Sequence, residues 1–178
     1  MTDPLLHLVI ALGLSALFAG SALHKLRQPR RFAAQVDEYR LLPPRLTGVA
    51  VWVFVTTECA LALSLPWPSI REATGTIAAL LLTLYGVAIG ANLLRARTYI
   101  DCGCGDSAIL LTPWLLVRNG VLAAGAALLT VAPTARELGI WDAVTGLLAL
   151  PALVILYQAM DQLLDNASAL REWNTAND

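Results

Sequence analysis

A chain of 178 residues holds about one domain's worth of material, which leaves little for a soluble catalytic domain beside a membrane part. Hydrophobic residues make up 57% and charged residues 14%, against roughly 25% charged in ordinary globular proteins, so a water-soluble globule is excluded. A net charge of -1 supplies no basic field to gather nucleic acid, and no nucleic-acid partner is expected.

A hydrocarbon core about 30 Å thick needs about 20 apolar residues at about 1.5 Å each. Residues 5–23 form the first such run. Met1-Thr2-Asp3-Pro4 puts no basic residue ahead of it, and the run is too long for a secretory signal, so a retained helix is expected. From His24 to Arg45, Phe32, Val36, Tyr39 and Leu42 recur at helical spacing among charged residues, and Pro43-Pro44 closes the segment. This predicts a short helix lying on the membrane surface. Further spans follow at 46–65, where Glu58 is the only charge, and at 73–94, which has none. The run 114–131 carries Arg118 one turn inside its start. The run 143–160 contains Pro151, which a membrane helix tolerates when neighbours satisfy the freed carbonyl; a buried re-entrant segment is the other reading. Residues 1–160 are thus expected to form the bundle and 161–178 a polar, amphipathic tail. The fold class is all-α integral membrane, a bundle of four to five transmembrane helices with a short interfacial helix between the first two. Small residues such as Gly13, Ala16, Gly20, Gly86 and Gly90 permit close helix contact.

Basic residues concentrate in alternate loops. With five spans and the N-terminus outside, Lys25, Arg27, Arg30, Arg31, Arg40, Arg45, Arg95, Arg97 and Arg171 all lie inside, against Arg71 and Arg136 outside. The positive-inside preference therefore predicts an N-terminus outside, a tail inside and a third loop on the cytoplasmic face.

That third loop carries Asp101-Cys102-Gly103-Cys104-Gly105-Asp106. The intervening glycine removes a Cβ and lets the two sulfurs approach bonding distance. A disulfide closing so small a ring is strained and easily reduced, as befits an exchanging pair, and as a staple it constrains almost nothing. Metal binding is the competing chemistry, although two cysteines and an aspartate leave a zinc set short unless His24 joins it. An inert glycine turn is the third reading. Arg118 flanks the loop and is read as turning inward beside Asn119 to tune the thiols, or as snorkelling to the interface.

Glu58 lies deep in the second span, where a carboxylate costs about 2.5 to 3.5 kcal/mol on insertion scales. It is expected to face the bundle interior. There it handles protons or lines a pocket, or else it hydrogen-bonds a group such as Tyr85 or Asn92. Its neighbour Cys59 reads as a small core residue or as a third thiol. His24-Lys25 reads as an interfacial anchor, or as a contact to a substrate or an acidic headgroup.

The order of these features resembles the methylamine utilisation protein MauE family, among the DoxX-like small membrane proteins. The resemblance runs from Phe18 to about Leu122. It is carried by Gly20-Ser21-Ala22-Leu23-His24-Lys25-Leu26, Tyr39-Arg40-Leu41-Leu42-Pro43, Glu58, Cys102-Gly103-Cys104-Gly105, Trp114 and Val117-Arg118-Asn119. It implies redox support for exported proteins, namely maturation of a disulfide-rich periplasmic dehydrogenase subunit alongside a thioredoxin-like partner. It does not imply methylamine as a substrate of this chain.

The residues and the resemblance together point to a bacterial inner-membrane thiol–disulfide exchange protein, an oxidoreductase by that reading, with Cys102, Cys104, Glu58 and Arg118 as its site. The alternatives are a non-enzymatic assembly or scaffold subunit within a membrane complex, and a quinone- or lipid-binding protein. No cofactor is firmly implied, and quinone is the one the alternatives allow.

Overall fold

The computed structural model describes the backbone of residues 2–95 and 111–177, and the side chains of only part of the last helix. Cys102 and Cys104 lie outside the described residues. Among those residues the protein is an all-α membrane bundle, in the order α1 (Pro4–Arg27), α2 (Pro29–Glu38), α3 (Pro44–Ser64), α4 (Arg71–Leu94), α5 (Pro113–Leu128) and α6 (Ile140–Asn177), with one 3₁₀ turn at Pro68–Ile70.

Proline and its neighbours set most of these boundaries. Asp3 caps α1 by accepting from the Leu5 amide at 2.8 Å, with Pro4 at the first helical position. Pro29 lacks the amide that would continue α1 and instead begins α2. Arg40 exits α2 in the left-handed region at φ 48°, and Pro43-Pro44 then restarts the chain as α3. At the far end of α3, Arg71 donates to the carbonyls of Leu65 and Pro66, at 3.4 and 3.1 Å, satisfying acceptors that the helix terminus leaves open.

Helix directions follow from the contacts. Ser15 donates to the Ala62 carbonyl and Ser21 to Glu58, so α1 and α3 run antiparallel. Gly75 meets Ala126 and Leu129, whereas Gly90 meets Leu116, so α4 and α5 are antiparallel too. Gly146 lies against Leu5, and Asp142 shares Arg136 with Asp3, which makes α6 parallel to α1. Among the described residues, four segments are long and apolar enough to cross a bilayer: Pro4–Arg27, Pro44–Ser64, Pro68–Leu94 and Ile140–Met160. α5 is apolar but shorter. Its 16 residues span about 24 Å.

The last helix decides between the two readings of 143–160. The segment 143–160 is no re-entrant hairpin but part of a helix that passes Pro151 without breaking. The polar, amphipathic tail from 161 onward is helical as far as Asn177, since neither glycine nor proline occurs from Met160 onward to stop it.

The core gathers Ala11, Leu14 and Phe18 of α1, Leu61 and Leu65 at the end of α3, Ala78, Leu81 and Leu82 of α4, and Ala126 and Leu129. A smaller cluster of Ile89, Leu111 and Leu115 packs against Tyr39, Leu93 and Leu116. The closest helix approach is at Gly75, where a Cβ would stand 2.8 Å from Leu129 Cβ and 3.0 Å from the Ala126 carbonyl oxygen. Large apolar side chains on the outer faces, such as Leu63, Leu80 and Val87, are exposed, as suits lipid rather than water.

One end of the bundle is tied across the chain. The Thr134 amide donates to the Thr2 carbonyl at 2.8 Å, and Arg136 bridges Asp3 and Asp142 at 3.1 and 2.8 Å. The N-terminus and the α5–α6 connection therefore share one face. α2, Arg95 and Leu111 belong to the other.

Candidate functional site

Ser21 and Lys25 stand one turn apart on the last part of α1 and so project from one face. Lys25 also lies in the final turn, where the partial negative charge of the helix terminus favours a cation. Across from them, α3 presents Glu58, which is wholly buried, and Lys25 itself is only 3% exposed. Lys25 Nζ meets Glu58 Oε1 at 2.5 Å. The same oxygen accepts from the Tyr85 hydroxyl of α4 at 2.8 Å and from Ser21 Oγ at 3.1 Å. Lys25 also donates to the Tyr85 hydroxyl at 3.3 Å. Three donors from two helices thus converge on one carboxylate oxygen, whereas the second, Oε2, is buried with no partner among the described residues.

Aromatic rings complete the enclosure of the cation. Lys25 Nζ lies 4.7 Å from the centroid of Phe32 and 5.1 Å from that of Tyr85, both within cation–π range. Phe54 stands between those rings, edge-on to Phe32 at 6.4 Å and tilted to Tyr85 at 5.6 Å. Phe32 belongs to α2, which is held on α3 by a hydrogen bond from Thr47 Oγ1 to Asp37 Oδ1. α2 therefore covers the ion pair.

Beside the pair is a cavity of about 330 Å³. Lys25 reaches it from α1, Phe32 and Gln35 from α2, Tyr39 from just beyond the end of α2, Phe54 from α3, and Leu84, Tyr85 and Ile89 from α4. Its lining is almost entirely apolar.

The sequence-derived candidates are only partly brought together. Glu58 is the centre of the site, with Tyr85 as a partner. Asn92 is not one, because its amide donates to the Ala88 carbonyl at 3.1 Å. Lys25 is no interfacial anchor. It is buried because it has a carboxylate, a hydroxyl and two aromatic faces to replace water. As the chain's only lysine, four residues after a serine and opposite a lone acid in an apolar span, it carried a signal of its role. Cys59 is half-buried and has no disulfide partner among the described residues. Arg118 is partly buried, with its guanidinium 5.6 Å from the centroid of the Tyr157 ring in α6. Its neighbour Asn119 is buried and donates to the Leu115 carbonyl at 2.9 Å. Cys102 and Cys104 fall between Arg95 and Leu111, outside the described residues. Leu111 packs with Ile89, which also lines the cavity.

Residues 3–132 match the family described as methylamine utilisation protein MauE. The methylamine utilization protein MauE of Paracoccus versutus is 39% identical over 168 residues, covering 92% of this chain and 89% of that protein. The protein of the same name from Paracoccus denitrificans is 34% identical over 177 residues, covering 98% and 95%. That of Methylorubrum extorquens is 35% identical over 167 residues, covering 89% and 88%. No solved structure matches the chain significantly. The chain belongs to the MauE family.

Proposed function

We propose that this member of the MauE family is a bacterial inner-membrane thiol–disulfide exchange protein that supports maturation of an exported, disulfide-rich protein. Cys102 and Cys104 cycle between dithiol and disulfide, through a mixed disulfide with a thioredoxin-like partner. Glu58 and Lys25 form the polar centre that handles the protons of this exchange, and Arg118, in the first part of α5, favours the thiolate. The relatives' names tie them to methylamine utilisation. In this reading the chain serves that process by preparing a protein for it and does not handle methylamine.

The observation that carries the reading is the combination, in one chain, of a Cys-Gly-Cys sequence and a buried ion pair at one end of a largely apolar bundle. The ends of the segment that contains the cysteines, Arg95 and Leu111, belong to the same end as α2, and Leu111 shares Ile89 with the cavity beside Lys25.

The test is alkylation followed by mass spectrometry, in membranes poised oxidising and then reducing. Cys102 and Cys104 should be protected in the first and modified in the second, and Cys104→Ser should trap a covalent partner. Free alkylation of both thiols under both conditions would sink the exchange role. A scaffold role predicts instead that the doubly substituted Cys102→Ser, Cys104→Ser protein keeps full maturation activity. The lipid-facing flank of α6, where Leu147, Leu148 and Ile155 are exposed, is the surface that favours this second reading.

A further inference from the structure

Thiol exchange leaves the cavity beside the ion pair without a role. Lys25 lines it and has three ammonium protons. Two go to Glu58 and Tyr85, and the third has no acceptor among the described residues. Glu58 already balances the charge of Lys25, so an occupant that accepts this proton need carry no charge. A neutral molecule with a carbonyl oxygen fits. The walls formed by Phe32, Phe54, Tyr85 and Ile89 suit a flat ring. At the rim Leu41, Leu42 and Leu84 are 41%, 40% and 50% exposed, so an apolar path leads outward. In a bilayer that path opens to lipid. The volume of about 330 Å³ lies at the lower end of the small-molecule range of roughly 300–1,000 Å³.

We propose that the cavity binds the head group of a lipid-soluble quinone, with Lys25 donating a hydrogen bond to one ring carbonyl. The assignment rests on the thiol-exchange reading and names the electron acceptor that reading needs. Oxidation of Cys102 and Cys104 breaks two S–H bonds, forms one S–S bond and releases two electrons and two protons. The quinone takes up both electrons and both protons, its two carbonyls become hydroxyls, and it leaves as the quinol. The resulting disulfide then passes to a client dithiol, which is oxidised as Cys102 and Cys104 are reduced. Lys25, backed by Tyr85, Ser21 and Glu58, is the group that holds the carbonyl and supplies its first proton.

The full-length protein, purified in mild detergent and moved into nanodiscs of quinone-free phospholipid, is titrated with decyl-ubiquinone by calorimetry. Saturable binding of one molecule per chain is expected. Ala88→Phe, which fills the cavity, and Leu84→Trp, which narrows its partly exposed rim, should each weaken binding at least tenfold, and Val87→Ala on the outer face of α4 should not. Either cavity variant suffices if the other fails to fold. Undiminished binding in a folded cavity variant overturns the proposal. So does a wild-type protein that binds no quinone and extracts with phospholipid alone. The doubly substituted Cys102→Ser, Cys104→Ser protein should bind normally, which separates this result from the alkylation test. Quinone binding beside freely alkylated thiols would defeat the exchange reading alone, whereas redox-protected thiols without quinone binding would defeat the cavity assignment alone.

Discussion

Lys25 and Glu58, 33 residues apart in sequence, meet at 2.5 Å inside the bundle and join α1 to α3 where neither side chain reaches solvent. A pair in this setting is sensitive to the loss of one member, because the survivor becomes an uncompensated buried charge.

Lys25→Met or Glu58→Gln alone should therefore destabilise the protein by about 3–5 kcal/mol. The double substitution should recover much of that loss, since no charge is then stranded. Thermal unfolding of the four proteins in one detergent, analysed as a double-mutant cycle, measures the coupling. Simple additivity would mean that the two side chains do not act as a pair.

Glu58 was legible in the sequence as an inward-facing acid, because a lone carboxylate in an apolar span has few other places to go. Its partner was not. Local spacing reports which residues share a face of one helix, and it says nothing about which faces meet, so Lys25 read as an anchor at the membrane edge. The spans stood out because a bilayer demands long uncharged runs. The extent of α6 was hidden by a change in composition, as the polar residues beyond Met160 look like an ending although none of them breaks a helix. The short surface helix was announced by Phe32, Val36, Tyr39 and Leu42, but its service as a cover for an ion pair depends on contacts that only the folded chain provides.

Gly75→Ala should cost about 1–3 kcal/mol, the usual range for overpacking, because the new methyl meets the backbone of α5 as well as Leu129. Gly20→Ala meets nothing within 4 Å and should shift stability by no more than about 0.5 kcal/mol. Midpoints of thermal unfolding for the two variants, compared side by side, decide whether α4 and α5 are as close as described.

The tie between Asp3 and Arg136 has a defined acid limit. The Leu5 amide first, and Arg136 second, hold the Asp3 carboxyl below its ordinary value of 3.8. A carboxyl depressed in the folded state contributes stability that is complete above the unfolded value and is lost as pH falls through the folded one. Protection of the first turn of α1, measured by hydrogen exchange and corrected for intrinsic rates, should hold from neutral pH down to about 3.8 and then decline. Asp3→Asn should remove that step.

The excess of basic residues in alternate loops leads us to expect the loop with Cys102 and Cys104 on the cytoplasmic face, whereas exchange with an exported client requires the pair to reach the outer face as well. A membrane-impermeant thiol reagent should then modify these residues more readily in inverted vesicles than in intact cells. Labelling in intact cells alone would reverse the orientation.

The length of α5 has a consequence for the surrounding lipid. At 16 residues, or about 24 Å, it falls short of a hydrocarbon layer about 30 Å thick, and a helix too short for its bilayer is accommodated by thinning of the lipid and by polar side chains that reach outward. Lipid thinned in this way would bring water closer to the bundle, as into a shallow dimple. A soluble visitor can then come near the start of α5 without entering oil, while whatever occupies the greasy hollow behind α2 never has to leave it.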